Sequence, residues 1–294
     1  MESSQTIDLI KSVERCISNL GIMYRIFYRE KTKESLTKKI TSNPGKYGDQ
    51  KKIQDLIGIR IALYFIDDIT AVREALEKRF TYVASDSQID ELDSEVFKAV
   101  RCNLIFKLPE SFDFTTALEA EHLNLIDNTF EVQLRTILSE GWHEIDHDLR
   151  YKCKDDWIGL DRENRAFNGV YATLETSEWT LLKLFEELAY THYKEKNLKA
   201  MLNNKFRVRL RSSPLDDSVL LYISEKPELI KRIYRYSRTR MLQCISARPY
   251  MMPLSIANLV FLMNLDSLND SAIHEMMPPK FKSWWDSAEQ QSAQ

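Results

Sequence analysis

The feature that most constrains the fold is a short apolar run from Gly58 to Phe65. Its length and its isoleucine-rich composition predict one buried strand. A second strand is predicted over residues 129–134, where side chains alternate in character, and a third over 96–107. Helical patterns cover 68–79 and 136–150. Strands separated by helices predict an α/β fold with a mixed β-sheet flanked by helices.

Glycine is scarce, with seven in 294 residues, and no two glycines lie within two residues of each other. The P-loop and the GxGxxG dinucleotide site both need clustered glycines, because backbone must approach phosphate closely. The sequence therefore argues against both sites. If the protein handles nucleotides, side chains must hold the phosphates.

The sequence predicts a cytoplasmic protein. The four cysteines form no CxxC pair, which is typical of reduced thiols and not of a disulfide framework or a zinc site. The first residues lack the basic and apolar regions of a signal peptide. No apolar stretch approaches the roughly 20 residues that a membrane span needs, so no membrane association is expected.

The remaining segments are mostly helical in pattern. Residues 5–29 repeat apolar side chains at three- and four-residue steps, and 163–200 also predict helix. Alternating apolar and arginine residues over 206–211 predict a strand, which 218–224 could join as a hairpin. We therefore expect an α/β domain over 1–158, a helical connector over 159–204 and a C-terminal α+β extension, basic in character, over 205–294.

Charge is distributed unevenly along the chain. The net charge is −3, but residues 205–248 carry eleven Lys and Arg against four Asp and Glu. A basic segment of this kind that also contains Tyr234 and Tyr236 suits phosphate or a nucleic acid. A solvated surface, a partner protein or a regulatory ligand would suit it equally. The sequence is compatible with an oligomer and does not indicate one.

The first motif with candidate chemistry combines Arg29, Lys31, Ser35 and Lys39 in one short basic segment. Arginine and lysine can clamp a triphosphate, and a guanidinium can stack on an adenine. Most clusters of this kind are solvated surface, so the motif alone is a weak signal.

Two further motifs belong to the strands. Asp55 precedes the first strand and Arg60 lies within it, an arrangement that could place Mg²⁺ beside a nucleotide. On the strand over 129–134 and its continuation, alternation puts Glu131, Gln133 and Arg135 on one side. A carboxylate there can accept a proton from an attacking hydroxyl or share a metal ion. The simpler interpretations are a strand cap for Asp55 and a wet edge strand for Glu131.

A fourth motif ends the helix that follows, where His147, Arg150 and Lys152 crowd together. Cations are favoured at a helix C-terminus and could meet phosphate there. The same helix spells HExxH from His143 to His147, the signature of zinc proteases, with Glu144 as the base. No continuation supplies a third ligand; it would have to come from Glu163, Glu175 or Glu178.

Together, the spans RxKxxxS, DLIGIR, EVQLRT and HDLRYK resemble the RelA/SpoT synthetase family, which makes guanosine tetra- and pentaphosphate alarmones. They occur in the family's order over about residues 20–155. The resemblance implies a RelA/SpoT synthetase-like nucleotidyltransferase fold. It also implies an ATP-dependent pyrophosphokinase that uses Mg²⁺ and moves pyrophosphate from ATP to the 3′-hydroxyl of a GDP- or GTP-like nucleotide.

The resemblance also implies roles for residues. The catalytic pair would be Glu131 and Asp55, which would both serve Mg²⁺, with Glu131 available to activate the acceptor hydroxyl. Nucleotide-contacting residues would be Arg29 and Arg60 at the adenine, Lys31, Ser35 and Lys39 along the phosphates, and Gln133, Arg135, His147 and Phe97 elsewhere in the site.

The chain departs from the family where the acceptor would bind. Family synthetases carry a GYRSxH-like stretch whose Tyr stacks on guanine, and the nearest segment here runs from Val96 to Arg101. Phe97 could still stack on a base, but Arg101 stands in place of the His. Glu140 stands where Asp or Asn is usual.

Two hypotheses follow from these departures. The acceptor could differ from free GDP or GTP. Some relatives place pyrophosphate on tRNA and act as toxins, and residues 205–248 would suit tRNA. Alternatively, the domain could be a degenerate module that binds a nucleotide or a partner without turnover.

Overall fold

The computed structural model describes residues 4–48, 51–90, 101–112, 124–248 and 252–287. Phe97 and the rest of the altered stretch before Arg101 lie outside the described residues. The chain forms two compact units, residues 1–15 with 24–178, and residues 16–23 with 179–294. Within the described residues, no helix has both the length and the apolar character needed to cross a membrane.

The first unit contains a five-stranded mixed sheet, which confirms the predicted α/β fold with helices flanking it. Its order is β1-β2-β5-β4-β3, with β2 and β5 parallel and the other pairs antiparallel. The strands are β1 (Tyr24–Glu30), β2 (Ile57–Leu63), β3 (Gln88–Ile89), β4 (Cys102–Lys107) and β5 (Thr129–Thr136), and the helices are α1 (Ser4–Ser18), α2 (Lys33–Thr41), α3 (Asp68–Arg79) and α4 (Ile137–Ile145).

The two central strands separate apolar from polar side chains. Along β5, Phe130, Val132 and Leu134 are buried, whereas the residues between them are only partly buried. One side of the sheet therefore forms the core, where the rings of Phe106 and Phe130 stack with centroids 5.5 Å apart. The opposite side carries the polar residues of β5.

The helix predicted over residues 5–29 is wrong in its second half. α1 ends at Ser18, and Tyr24–Glu30 is strand β1, paired along its whole length with β2. Gly21, at φ +69°, provides the left-handed turn that follows the helix. Seven consecutive strand pairs outweigh a local helical pattern, because pairing satisfies backbone groups that an isolated segment leaves to water.

The link from β5 to α4 is fixed by a capping box. Thr136 is the N-cap of α4, and its hydroxyl accepts a hydrogen bond from the Ser139 amide at 3.1 Å. Thr136 also donates to the buried carboxylate of Glu178. The cap holds the polar residues of β5 directly before those of α4. A π-helical turn over Asp146–Tyr151 then continues α4.

The second unit is helical in its described residues. The long helix α5 (Asp161–Lys194) leads into it from the first unit. It continues with α6 (Leu198–Phe206), α7 (Asp216–Ser224), α8 (Pro227–Arg235), α9 (Arg238–Ser246), α10 (Ile256–Met263), α11 (Ser271–Met276) and α12 (Pro279–Asp286). The helical part of the predicted C-terminal extension is thus present.

The hairpin predicted in this extension is wrong. Phe206 ends α6, and Arg207 turns left-handed at φ +46°. The following extended backbone makes single hydrogen bonds, from Arg209 N to Gly21 O at 2.7 Å and from Arg211 N to Leu254 O at 2.8 Å. Residues 216–224 are helical because Val219 and Ile223, one turn apart, are both buried. The alternation over 206–211 reflects an extended connector and not a paired strand.

Candidate active site

A cleft of about 310 Å³ opens on the polar side of the sheet in the first unit. The register explains its composition, because side chains paired across neighbouring strands point to the same side. Gly58 of β2 lies beside Glu131 of β5, and Arg60 lies beside Gln133. The lining residues are Phe27, Tyr28, Arg29, Asp55, Gly58, Ile59, Arg60, Glu131, Gln133, Arg135, Glu144, His147, Asp148 and Lys152.

Asp55, just before β2, is held by two lysines. The ammonium of Lys31 lies 2.5 Å from one carboxylate oxygen and that of Lys39 lies 2.7 Å from the other. Burial opposes ionisation of Asp55, but the two lysines outweigh it and its pKa is lowered. Burial lowers the pKa of Lys31, against the attraction of Asp55. Lys31 and Lys39 of one sequence motif and Asp55 of another thus form one charged cluster.

Helix α2 brings Lys39 to this cluster. Leu36 is fully buried against Ile53, Leu56 and Ile126, which fixes the helix beside the start of β2. Ser35, one residue earlier, is exposed, and its amide donates to the N-cap Thr32 at 3.2 Å. The structure therefore brings Lys31 and Lys39 to Asp55, which lines the cleft, although neither lysine is itself a lining residue. Ser35 is neither a lining residue nor a partner of Asp55 in the described residues.

Glu131 has the opposite electrostatic character to Asp55. Burial raises its pKa, and the charge of Asp55 raises it further, whereas a hydrogen bond from Gln133 Nε2 at 3.2 Å works in the other direction. Its partner on the neighbouring strand β4 is the buried Ile105. A carboxylate with a raised pKa is a stronger base than an ordinary glutamate.

The guanidinium of Arg60 is fixed along its edge. Its Nε donates to Gln133 Oε1 at 3.2 Å, and its Nη1 donates to Glu140 at 2.8 Å and to Glu144. Arg135 donates to the second oxygen of Glu140 at 3.1 Å. These hydrogen bonds lie in the plane of the guanidinium, so they engage its N–H donors and do not occupy its flat face. The flat face can stack on a planar group.

The end of the cleft is built by the π-helical turn after α4. His147, Asp148 and Lys152 line it, with His147 Nδ1 2.8 Å and Lys152 Nζ 2.6 Å from Asp148. Arg150 points elsewhere: its Nε donates to Asp146 at 2.6 Å, and it lies 4.6 Å from the ring centre of Phe167. Of the three cations that the sequence grouped here, only His147 and Lys152 reach the cleft.

The HExxH motif forms no zinc site in the described residues. His143 is buried, and its pKa is lowered to about 3. Burial is the main cause, and the positive charges of Arg135 and Arg60 add to it. Its ring packs edge-on against Tyr171, with centroids 5.9 Å apart. In the described ranges, no group of three or more His, Cys, Asp and Glu side chains is placed to hold a metal ion. Glu144 instead pairs with Arg60.

The basic segment 205–248 uses much of its charge inside the second unit. The hydroxyl of Tyr236 donates to Asp266 at 2.6 Å, and Tyr234 stacks on Tyr193 with centroids 4.6 Å apart. Several arginines bind neighbouring residues: Arg232 donates to Leu268 O at 2.7 Å, Arg238 to Phe206 O at 2.8 Å and Arg240 to Asp266 at 2.6 Å. Arg209, Arg211 and Arg235 are exposed.

Comparison with protein families identifies the unit that carries the cleft. Residues 28–156 match the model of the region found in RelA and SpoT proteins. These residues form a RelA/SpoT domain. The matched span contains all the residues that line the cleft except Phe27, which lies one residue before it.

The RelA/SpoT domain is also similar to a curated protein, the GTP pyrophosphokinase YjbM of Bacillus subtilis (strain 168). The two are 30% identical over 102 residues, which is 34% of this chain and 43% of that protein. The chain therefore aligns with less than half of the length of this relative.

Solved structures of small alarmone synthetases from Bacillus subtilis are similar as well. Small alarmone synthetase 2 is 18% identical, with a TM-score of 0.43, over 62% of this chain and 96% of that one. Small alarmone synthetase 1 bound to its product pppGpp is 21% identical, with a TM-score of 0.42, over 62% and 90%.

The chemistry of the cleft fits a magnesium ion. Asp55 and Glu131 supply carboxylate oxygens, the ligands that Mg²⁺ prefers, and two such ligands are usual when substrate phosphates complete the shell. Asp55 raises the pKa of Glu131, so the two charges repel each other. A divalent cation between them would remove this repulsion.

Sequence reasoning missed several cleft residues, among them Glu144 and Phe27. Glu144 was read only as part of HExxH, although its spacing of four from Glu140 puts both acids on one side of α4. Phe27 was assigned to a helix and not to a strand. Its position opposite Arg60 follows only from the pairing of β1 with β2.

Proposed function

We propose that the RelA/SpoT domain, with the flanking residues of 1–158, is an ATP-dependent pyrophosphokinase. It would transfer the β,γ-diphosphate of ATP to the 3′-hydroxyl of a GDP- or GTP-like nucleotide or of tRNA. One observation carries the proposal: a single cleft joins Glu131, a carboxylate with a raised pKa, to Asp55, Arg29 and Arg60, and Asp55 in turn binds Lys31 and Lys39.

The proposed chemistry is an in-line displacement. The acceptor 3′-oxygen attacks the β-phosphorus of ATP, its proton passes to Glu131, and the bond from the β-phosphorus to the bridging oxygen breaks. AMP leaves with that oxygen. Lys31 and Lys39 lie where they can neutralise charge on the phosphates, and Arg60 offers its face to a base.

Asp55 and Glu131 would hold Mg²⁺, which supplies charge neutralisation for the transferring group. The two lysines that bind Asp55 in this structure would then compete with the metal ion. Lys31 and Lys39 each bind one oxygen of Asp55, so nucleotide phosphates can draw these lysines away and free the carboxylate. Nucleotide and metal binding would therefore support each other.

For the acceptor, the observations support a chemical class and not one compound. The similar protein YjbM is a GTP pyrophosphokinase, which favours a guanosine nucleotide as the acceptor. With such an acceptor, we propose a role in stress signalling. Exposed Arg209, Arg211 and Arg235 leave part of the basic segment available for tRNA, which would favour a toxin.

Labelled ATP tests the proposal. The protein is incubated with γ-labelled ATP and, in separate reactions, with GDP, GTP, ATP or bulk tRNA. Transfer of label to one acceptor, with AMP formed in equal amount from α-labelled ATP, supports pyrophosphate transfer. Formation of ADP with labelled acceptor would show simple phosphate transfer, and no label on any acceptor contradicts the proposed enzyme.

A second function, binding without turnover, is favoured by the internal pairing of the cleft. Both oxygens of Asp55, and the Nε and Nη1 donors of Arg60, are already engaged by protein groups. A degenerate module of this kind would bind a nucleotide or a partner and release no AMP. Binding by calorimetry combined with a null result in the label experiment would select it.

A further inference from the structure

The aromatic side chain of Phe27 stands at the mouth of the cleft on edge strand β1. It is 51% exposed, an unusual exposure for a phenylalanine on a paired strand. In the described part of the chain, no other ring or cation packs on it. A single exposed apolar residue often has no function, so its position must carry the argument.

The position of Phe27 is set by strand pairing. Phe27 lies directly opposite Arg60 in the antiparallel pair of β1 and β2, and Arg29 lies opposite Gly58. Residues directly opposite share one side of the sheet, with Cβ atoms about 4.5–5.5 Å apart. Phe27, Arg29 and Arg60 therefore surround the part of the cleft whose floor is Gly58, which has no side chain.

The hydrogen bonds of Arg60 decide what this corner can bind. Because Gln133, Glu140 and Glu144 engage the guanidinium edge, Arg60 is better placed to stack than to grip phosphate. The phosphate-type cations, Lys31 and Lys39, lie instead at Asp55. The cleft is thus divided into a flat, partly aromatic corner and a charged end.

We propose that Phe27 contacts the purine of the donor nucleotide and forms an aromatic wall beside Arg60. The inference rests on the proposed function, because it assumes that the donor is a purine nucleoside triphosphate. Phe27 would supply stacking area that does not depend on charge. Stacking of a base on an aromatic side chain is substantial and tolerates either purine.

Binding measurements with two ligands test the inference. One ligand is the ATP analogue with a methylene group between the α- and β-phosphates, which cannot release AMP. The other is inorganic tripolyphosphate, which has no base. Isothermal titration of the full chain with Mg²⁺ should show that Phe27→Ala weakens binding of the analogue roughly ten-fold or more. Binding of tripolyphosphate should stay within about two-fold, because phosphate contacts are untouched.

Variants at the same position act as matched controls. Phe27→Trp and Phe27→Tyr keep a ring and should restore binding of the analogue, whereas Phe27→Leu keeps apolar area without a ring and should not. Thermal unfolding of each variant shows whether the fold is intact. Equal loss of both ligands in Phe27→Ala, or full affinity in Phe27→Leu, overturns the inference.

The outcome for the wild-type protein separates the two proposals. If it binds the analogue and Phe27→Ala binds equally well, the aromatic wall is wrong and the proposed function stands. If the wild-type protein binds neither the ATP analogue nor tripolyphosphate, the proposed function fails and the inference fails with it.

Discussion

Asp55 and Glu131 reach the same cleft, and the negative charge of Asp55, added to burial, raises the pKa of Glu131. The two acids therefore differ in their affinity for a proton. Asp55 stays ionised because Lys31 and Lys39 lower its pKa, whereas Glu131 keeps the greater affinity for a proton. Divergent environments of two carboxylates are a common basis for assigning a base.

Glu131→Gln should lower the rate of AMP release by about 10²–10⁴-fold, the usual contribution of a general base. Without Mg²⁺, binding of the methylene ATP analogue should change little, because glutamine keeps the shape, whereas Mg²⁺-dependent binding should weaken because a charged ligand is lost. The wild-type rate should fall as pH drops, since Glu131 must be ionised, and the variant should lose this dependence. Exposed Glu163→Gln is the control; full activity of Glu131→Gln would remove Glu131 from the mechanism.

Asp55→Asn should abolish activity by a different route. It removes a proposed metal ligand and leaves Lys31, only 9% exposed, without its acidic partner. We expect loss of Mg²⁺-dependent nucleotide binding as well as turnover, measured by titration at several Mg²⁺ concentrations. Unchanged Mg²⁺ dependence would show that Asp55 is a structural partner of the lysines.

Glu140→Gln should destabilise the domain more than Glu144→Gln. Glu140 is buried and binds both Arg60 and Arg135, and loss of one member of a buried ion pair costs about 3–5 kcal/mol. The side chain of Glu144 is 50% exposed, so its loss should cost less than about 1 kcal/mol. Denaturant unfolding compares the two, and equal effects would contradict the assigned burial.

Glu178→Gln should stabilise the protein at alkaline pH. Burial raises the pKa of Glu178 to about 7, from an ordinary value of 4.5. Its contribution to stability is therefore present below pH 4.5 and is lost as pH rises to about 7. At pH 8 the variant should gain roughly 1–3 kcal/mol over wild type.

The comparison for Glu178→Gln is made within each pH. Unfolding by urea at pH 4.5 and pH 8 gives the difference between variant and wild type, which should be near zero at the lower pH. Exposed Glu187→Gln on the same helix should show no such change. If the difference in unfolding free energy between variant and wild type is the same at both pH values, Glu178 does not titrate with a raised pKa.

Gly21→Ala should destabilise the second unit. Gly21 has φ +69°, and an added Cβ would collide with the Leu254 side chain. Strain of this kind costs of order 1–3 kcal/mol. Gly169→Ala in α5 meets no atom within 4 Å and should stabilise by about 0.5–1 kcal/mol, since alanine favours helix. Thermal unfolding of both variants measures the contrast.

Local pattern was enough for the central part of the domain. The apolar run of β2 and the alternation of β5 predicted strands at the observed places, because burial of one side of a sheet imposes a period of two on the sequence. The same alternation grouped Glu131, Gln133 and Arg135. The motif resemblance predicted the RelA/SpoT family before any geometry was known.

The sequence alone thus determined the central strands, the group of charged residues and the family, because each depends on neighbours within a few positions along the chain. Only the tertiary structure decided that Tyr24–Glu30 is a strand, that 206–211 is a connector, and that Arg60 binds Glu140 and Glu144. In the case of β1 and Arg60, these outcomes depend on partners between 27 and 84 positions away. The energy of pairing between distant segments leaves no local periodicity in a sequence, so these contacts are visible only in the folded structure.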